Sequence, residues 1–196
     1  MKITPVDHGL QNLVGKSMGP RSKGLHMSDI YGSLFQELEP KRYAHKADSP
    51  LPLLRFEAGL ALESILEEGL KRRLVERPGE FTTPEGIIFS PDLIIFNGTT
   101  RVGEMKLTWL SSREVPREPS NGFPPKFDKY FVQMKAYCRC LETADARLIA
   151  FFINGDYDRK RNAGPELLAW DITFSKRELE ENWAMLISHA KSKGML

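Results

Sequence analysis

Two acids and a lysine interrupt a stretch otherwise built like a sheet. In "SPDLIIFNGTTRVGEMKLTW", residues 90–109, two apolar runs flank an Asn-Gly turn, and Asp92, Glu104 and Lys106 stand among them. Glu104 and Lys106 are two apart on an expected strand, so they share a face while Met105 points to the other. Taken alone, that pair reads as an exposed ion pair worth about 0–1 kcal/mol. Asp92 on the preceding strand makes the register decisive. A two-residue Asn97-Gly98 turn would pair Phe96 with Thr99, set Glu104 opposite Pro91 and send Asp92 to the other face. A three-residue loop with a bulge, or a bend near Pro91, pairs Asp92 with Glu104 instead. The second arrangement is expected. Two carboxylates so close repel, and one would protonate unless a cation joined them. Mg²⁺ takes such an oxygen pair plus waters, at about 2.1 Å.

A third acid is offered by the helix expected from Leu53 to about Val75. At about 100° per residue, Phe56, Leu60, Leu66, Leu70 and Leu74 all fall within about 60° of Glu63, which therefore sits inside the stripe that must face the sheet. Glu57 lies about 120° and Glu68 about 140° from that axis, toward solvent; Glu67, about 40° off, is the reserve candidate. A buried glutamate needs a partner. Either a core Arg or Lys supplies one, or Glu63 reaches the same cation as Asp92 and Glu104. A later helix carries Gln133 and Tyr137 at i and i+4, on one face. Tyr137 also fits an apolar stripe with Tyr130, Met134 and Leu141. An amide such as Gln133 can orient water or a phosphate.

The elements that must position these residues follow from periodicity and punctuation. Residues 1–24 hold four Gly and two Pro without periodicity and read as an irregular arm, with 25–196 as a single domain. "HMSDIYGSLFQEL" reads as a helix with Ser28 as N-cap. "KRYAHKADSPLP" is a linker. "EFTTPEGIIF" begins a sheet that residues 90–109 continue, and "SSREVPREPSNGFPPK" is loop. "FDKYFVQMKAYCRCLE" is helical, and "ARLIAFFI" and "LLAWDITF" are strands. The closing helix "SKRELEENWAMLISHAKSK" has a Ser175/Glu178 capping box and an apolar face of Leu179, Trp183, Leu186 and Ala190. The expected fold is α/β: a central mixed β-sheet flanked by helices.

The bulk numbers narrow the classes. The chain has 196 residues, 41% of them hydrophobic and 28% charged, with a net charge of +2, so contact with nucleic acid would need a local basic patch. No run of about 18 apolar residues predicts a membrane span, and no apolar core of a signal peptide opens the chain. Cys138 and Cys140 point to different faces of a helix and suggest neither a disulfide framework nor a zinc site. A cytosolic location is expected. "GLQNLVGKS", residues 9–17, resembles a phosphate loop but has one residue too many between its glycines and no strand before it.

Together these residues resemble the PD-(D/E)XK nuclease superfamily: Pro91-Asp92, then Glu104-Met105-Lys106, then Gln133-x-x-x-Tyr137 on a helix. The Q-x-x-x-Y is similar to the RecB-like, lambda-exonuclease-like branch, and "HMSDIYGSL" and "QMKAYC" look like its small phage-type members. The resemblance spans roughly residues 53–155 and implies a restriction-endonuclease-like core, α-β-β-β-α-β. It implies that Asp92 and Glu104 bind Mg²⁺ or Mn²⁺ with the backbone carbonyl of Met105, and that Glu63 completes the site directly or through water. It further implies that Lys106 orients the attacking water or stabilises charge on the phosphate, and that Gln133 and Tyr137 position lysine, water or strand. Some relatives hold an iron–sulfur cluster on four cysteines; two cannot do so, and no cluster is expected.

The expected partner is DNA. Arg113, Arg117 and Lys126 follow the ExK strand, and Arg159, Lys160 and Arg161 lie beside Tyr157 in "NGDYDRKRNAG", where basic and aromatic groups suit phosphate contact and stacking. The function so implied is a divalent-metal-dependent DNA nuclease, an exonuclease before an endonuclease, in phage-type recombination or end processing. A recombination partner protein and homo-oligomers fit that setting; a membrane partner does not. The competing expectation is a DNA-binding or recombination-assembly protein that keeps the fold without turnover.

Overall fold

The computed structural model describes residues 21–43, 58–61, 64–65, 68, 75–76, 78–115, 122–153 and 164–196. Glu63, Glu67, Arg117, Arg159, Lys160 and Arg161 lie outside these residues, as do residues 9–17 and most of the expected arm.

Eight strands are described: β1 (Leu25–His26), β2 (Val75–Glu76), β3 (Phe81–Thr82), β4 (Ile87–Phe89), β5 (Leu93–Asn97), β6 (Thr99–Thr108), β7 (Asp145–Phe152) and β8 (Glu166–Thr173). The helices α1 (Met27–Leu38), α2 (Pro40–Tyr43), α3 (Asp128–Cys140) and α4 (Lys176–Ser192) are described with them. The main sheet has the order β2-β5-β6-β7-β8. Only β6 and β7, joined by the crossover through α3, run parallel; the other neighbours are antiparallel, so the sheet is mixed. The α/β class with helices on a mixed sheet is as expected.

Three local expectations need correction. Residues 81–97 do not form one continuous sheet: β3 and β4 join β1 in a separate three-stranded sheet, and β5 starts the main one. The break falls at Ser90-Pro91-Asp92, where Pro91 has no N–H for a ladder and is fully buried. Val75 does not end a helix; it pairs with Ile95 in the main sheet. Ser28 is not the cap of α1. His26 is the N-cap, its backbone N–H donating to Asp29 Oδ2 at 3.0 Å, and Ser28 lies inside the first turn, where its hydroxyl accepts from Arg21 at 2.6 Å.

Other helices follow their sequence signals. Ser175 accepts from the Glu178 backbone N–H, Glu178 accepts from Ser175 N–H, and Leu179, Trp183, Leu186 and Ala190 are all buried. α3 and α4 pack together, and the Asn182 amide donates to the Val132 carbonyl at 3.1 Å. Among the described residues no helix is long and apolar enough to cross a membrane.

The two faces of β6 bury different things. Val102 belongs with Leu148, Ala150, Met134 and Tyr137 in the large core beneath α1, α3 and α4. Met105 belongs with Leu93, Ile95 and Ile149 in a second apolar cluster on the other face. Gly103 serves that second face through its lack of a side chain: a Cβ there would lie 2.8 Å from Leu93 Cβ, its partner across the ladder. A side chain at 103 would push β5 and β6 apart one residue before Glu104.

Candidate active site

The hairpin register is the arrangement that brings the acids together. Phe96 pairs with Thr100, Leu93 with Gly103 and Asn97 with Thr99, and the ladder turns on Gly98 between them at φ +77°. One step further along that ladder sets Asp92 opposite Glu104. Asp92 itself lies just before β5, and its side chain replaces the missing strand: Met105 N–H donates to Asp92 Oδ2 at 2.7 Å. The pairing of proline with aspartate thus has a local cause. Proline ends the ladder, and the next carboxylate satisfies the β6 amide left over.

Lys106 lies between the two acids. Its ammonium is 3.6 Å from Asp92 Oδ2 and in direct contact with Glu104 Oε1. The Glu104 side chain is 0% exposed, against 16% for Asp92 and 21% for Lys106. This is not the exposed pair that residues 104 and 106 allow when taken alone. Burial opposes the charge on Lys106, but Asp92 and then Glu104 outweigh it and hold the ammonium well above its ordinary pKa. The lysine also sits 5.5 Å from the ring centroid of Tyr130.

α3 supplies Gln133 and Tyr137, both buried, one turn apart on the face turned to the sheet. Gln133 Nε2 donates to Tyr137 Oη at 3.4 Å, a long bond. Burial, then the neighbouring Tyr31 and Glu104, raise the Tyr137 phenol well above its usual pKa, so it stays protonated. Tyr31 was absent from the sequence expectations. It reaches the acids from α1, hydrogen-bonds Tyr137, and is likewise raised by burial and then by Glu104. No spacing signal marks it, because in α1 it is one of several buried apolar positions with Met27, Ile30, Leu34 and Phe35.

Asp92, Met105, Lys106, Tyr31, Gln133 and Tyr137 line one cleft of about 480 Å³, while Glu104, fully buried against Lys106, is not part of its wall. Gly59 and Leu60, in a helical segment over 58–61, form part of its wall beside Met105 and Leu107. Glu68 is exposed, as its helical position predicts. Arg113, on the turn after β6, and Lys126, before α3, do not line this cleft.

The donors present suit a hard cation. The Asp92 and Glu104 carboxylates, with water, match the oxygen preference of Mg²⁺, which commonly uses one or two protein carboxylates. Among the described residues no group of three His, Cys, Asp or Glu side chains gathers at a metal-binding distance. Cys138 and Cys140 are free thiols, each pushed by burial up to about 12.

Comparison of the whole chain with solved structures gives a phage-related exonuclease from Haemophilus somnus 129PT, at 14% identity and a TM-score of 0.54, over 94% of this chain and 96% of that one. The chain has that exonuclease's fold. An alkaline exonuclease from Laribacter hongkongensis is also similar, at 13% identity and a TM-score of 0.49, over 87% of this chain and 89% of that one. Its complex with dAMP gives a TM-score of 0.46 at 13% identity, over 93% of this chain and 91% of that one. No protein-family model matches the sequence, and no curated protein matches it.

Proposed function

We propose that the chain is a divalent-metal-dependent DNA nuclease, an exonuclease in phage-type recombination or end processing. The observation that carries this reading is the convergence of Asp92 and Glu104 on Lys106 at the broken end of a strand, facing a cleft. The exonuclease fold of the phage-related neighbour supports it.

The residues divide the work by position. Asp92, Glu104 and the Met105 carbonyl would hold Mg²⁺ or Mn²⁺, and Glu63 would be the further acid. Bound there, such a cation supplies Lewis-acid polarisation of the phosphoryl oxygen and a lowered pKa for water. The Asp92 carboxylate is already oriented by the Met105 amide, so the acid is held in place before substrate arrives. Lys106 presents a fixed positive charge where negative charge grows on the phosphate in the transition state. Gln133 and Tyr137, on one helical face, offer an amide and a protonated phenol to the same space. They hold Lys106, water or the scissile strand in line. Attack by water at phosphorus then forms one P–O bond and breaks the other, and the departing sugar oxygen takes a proton.

Digestion of linear, nicked, circular and single-stranded DNA with Mg²⁺ or Mn²⁺ tests this reading, with Lys106→Ala as control. Linear DNA should be degraded and closed circles spared, and the variant should be at least about 100-fold slower. Circles cut as fast as linear DNA would overturn the exonuclease assignment. No digestion of any substrate would overturn the nuclease assignment.

A further inference from the structure

Lys129, in the first turn of α3, is a half-buried lysine in an aromatic cage. Its ammonium lies 5.4 Å from the ring centroid of Tyr31 and 5.1 Å from that of Tyr43. Among the described residues no carboxylate pairs with it, and burial and then the like charge of Lys106 lower its pKa. A lysine kept only for structure would gain from an acidic partner. This one opens instead on a cavity of about 350 Å³ whose wall carries Ser28, Ser33, Gln36 and Tyr43. Asp29 is also in that wall, but its carboxylate is taken by Arg21 at 2.8 Å and by the His26 amide. Ser28 lines both this cavity and the cleft at Lys106, and Tyr31 packs beside both lysines, so the two spaces adjoin.

A cation with no carboxylate partner among the described residues, aromatic rings that restrict its rotamers, and hydroxyl and amide groups around it together suit a phosphate oxygen. We propose that Lys129, held between Tyr31 and Tyr43, binds a backbone phosphate of the nucleic-acid strand next to the phosphate at Lys106. The proposal rests on the nuclease reading only for what occupies the cleft. Lys129 has no role in the bond-breaking step; it sets where the strand lies.

The test is the salt dependence of binding of the full chain to labelled duplex and single-stranded oligonucleotides in EDTA, so that no strand is cut. For Lys129→Gln the slope of log K against log salt should shrink by about 0.9 on duplex and about 0.7 on single strands, the value of one lost phosphate contact. Lys129→Arg should restore it. Lys129→Met, which keeps the apolar stem between the rings, gives the same readout if the glutamine variant does not fold. A slope equal to wild type in these variants overturns the proposal, whatever happens to the melting temperature, because lost packing alone releases no counterions. Wild-type protein that shows the Lys129-dependent slope yet cuts nothing with Mg²⁺ or Mn²⁺ removes the nuclease reading and upholds this one.

Discussion

The two faces of β6 are one strand read at alternate residues, and they are built for opposite ends. On one face Glu104 and Lys106 meet Asp92 beneath Tyr31, Gln133 and Tyr137; on the other, Met105 packs with Leu93, Ile95 and Ile149. The first face keeps buried charge, which costs stability unless it is paired. The second offsets that cost by burying apolar area and excluding water from behind the site. The difference teaches that a strand with period two can isolate chemistry from packing without any change of backbone. The two roles should therefore be separable by single substitutions.

The largest separation is expected at Glu104. Glu104→Gln keeps shape and removes one of two carboxylates, and metal-dependent release of nucleotides should fall by about 100-fold or more. A variant that retains a tenth of wild-type activity would place the chemistry elsewhere. Met105→Ala should do the reverse. Truncating a buried methionine costs about 2–5 kcal/mol, readable in urea unfolding, while protein that is still folded continues to cut. Equal loss of activity in fully folded Met105→Ala would show that the faces are not independent.

Smaller effects sharpen the comparison. Tyr137→Phe deletes the hydroxyl that accepts from Gln133. At about 1 kcal/mol for the bond, single-turnover cleavage should slow about fivefold with little change in stability; an unchanged rate would confine Tyr137 to the core. The smallest effect lies off both faces. The Ser175 amide and then its hydroxyl hold Glu178 below its ordinary pKa. A depressed acid stabilises above its unfolded value, and that stability is lost as pH falls through the folded one. Stability read from urea unfolding should therefore fall between about pH 5 and pH 3 more for wild type than for Glu178→Gln, by less than about 1 kcal/mol at this exposed site. Identical acid profiles would show that the cap carries no such term.

Much of this arrangement was legible because it is local. Spacing alone puts Glu104 and Lys106 on one face, but Asp92 joins them only in the register that is not a plain Asn97-Gly98 turn, the one the ladder adopts. Gln133 and Tyr137 follow from helical periodicity, and the cap of α4 from Ser175 and Glu178. What was not legible is tertiary. Tyr31 approaches the acids from α1, and Lys129 meets Tyr31 and Tyr43 across elements, and nothing in their sequence neighbourhoods differs from ordinary helix. β1, with two residues, and β4, with three, have no period to read and exist because they pair with each other. The split of the small sheet from the large one depends on Pro91, whose burial the sequence does not announce. His26 caps α1 although serine is the stronger local signal, because the Asp29 carboxylate closes the turn two residues earlier.

The bond from Met105 N–H to Asp92 has a spectroscopic consequence. It makes one amide both a member of the sheet and a witness to the carboxylate beside it. Anything that draws on that carboxylate, whether a proton, a cation or an approaching phosphate, alters the electron density felt by the Met105 proton. Its chemical shift and its exchange with deuterium should report occupancy of the cleft directly, with no label, probe or substitution added to the chain.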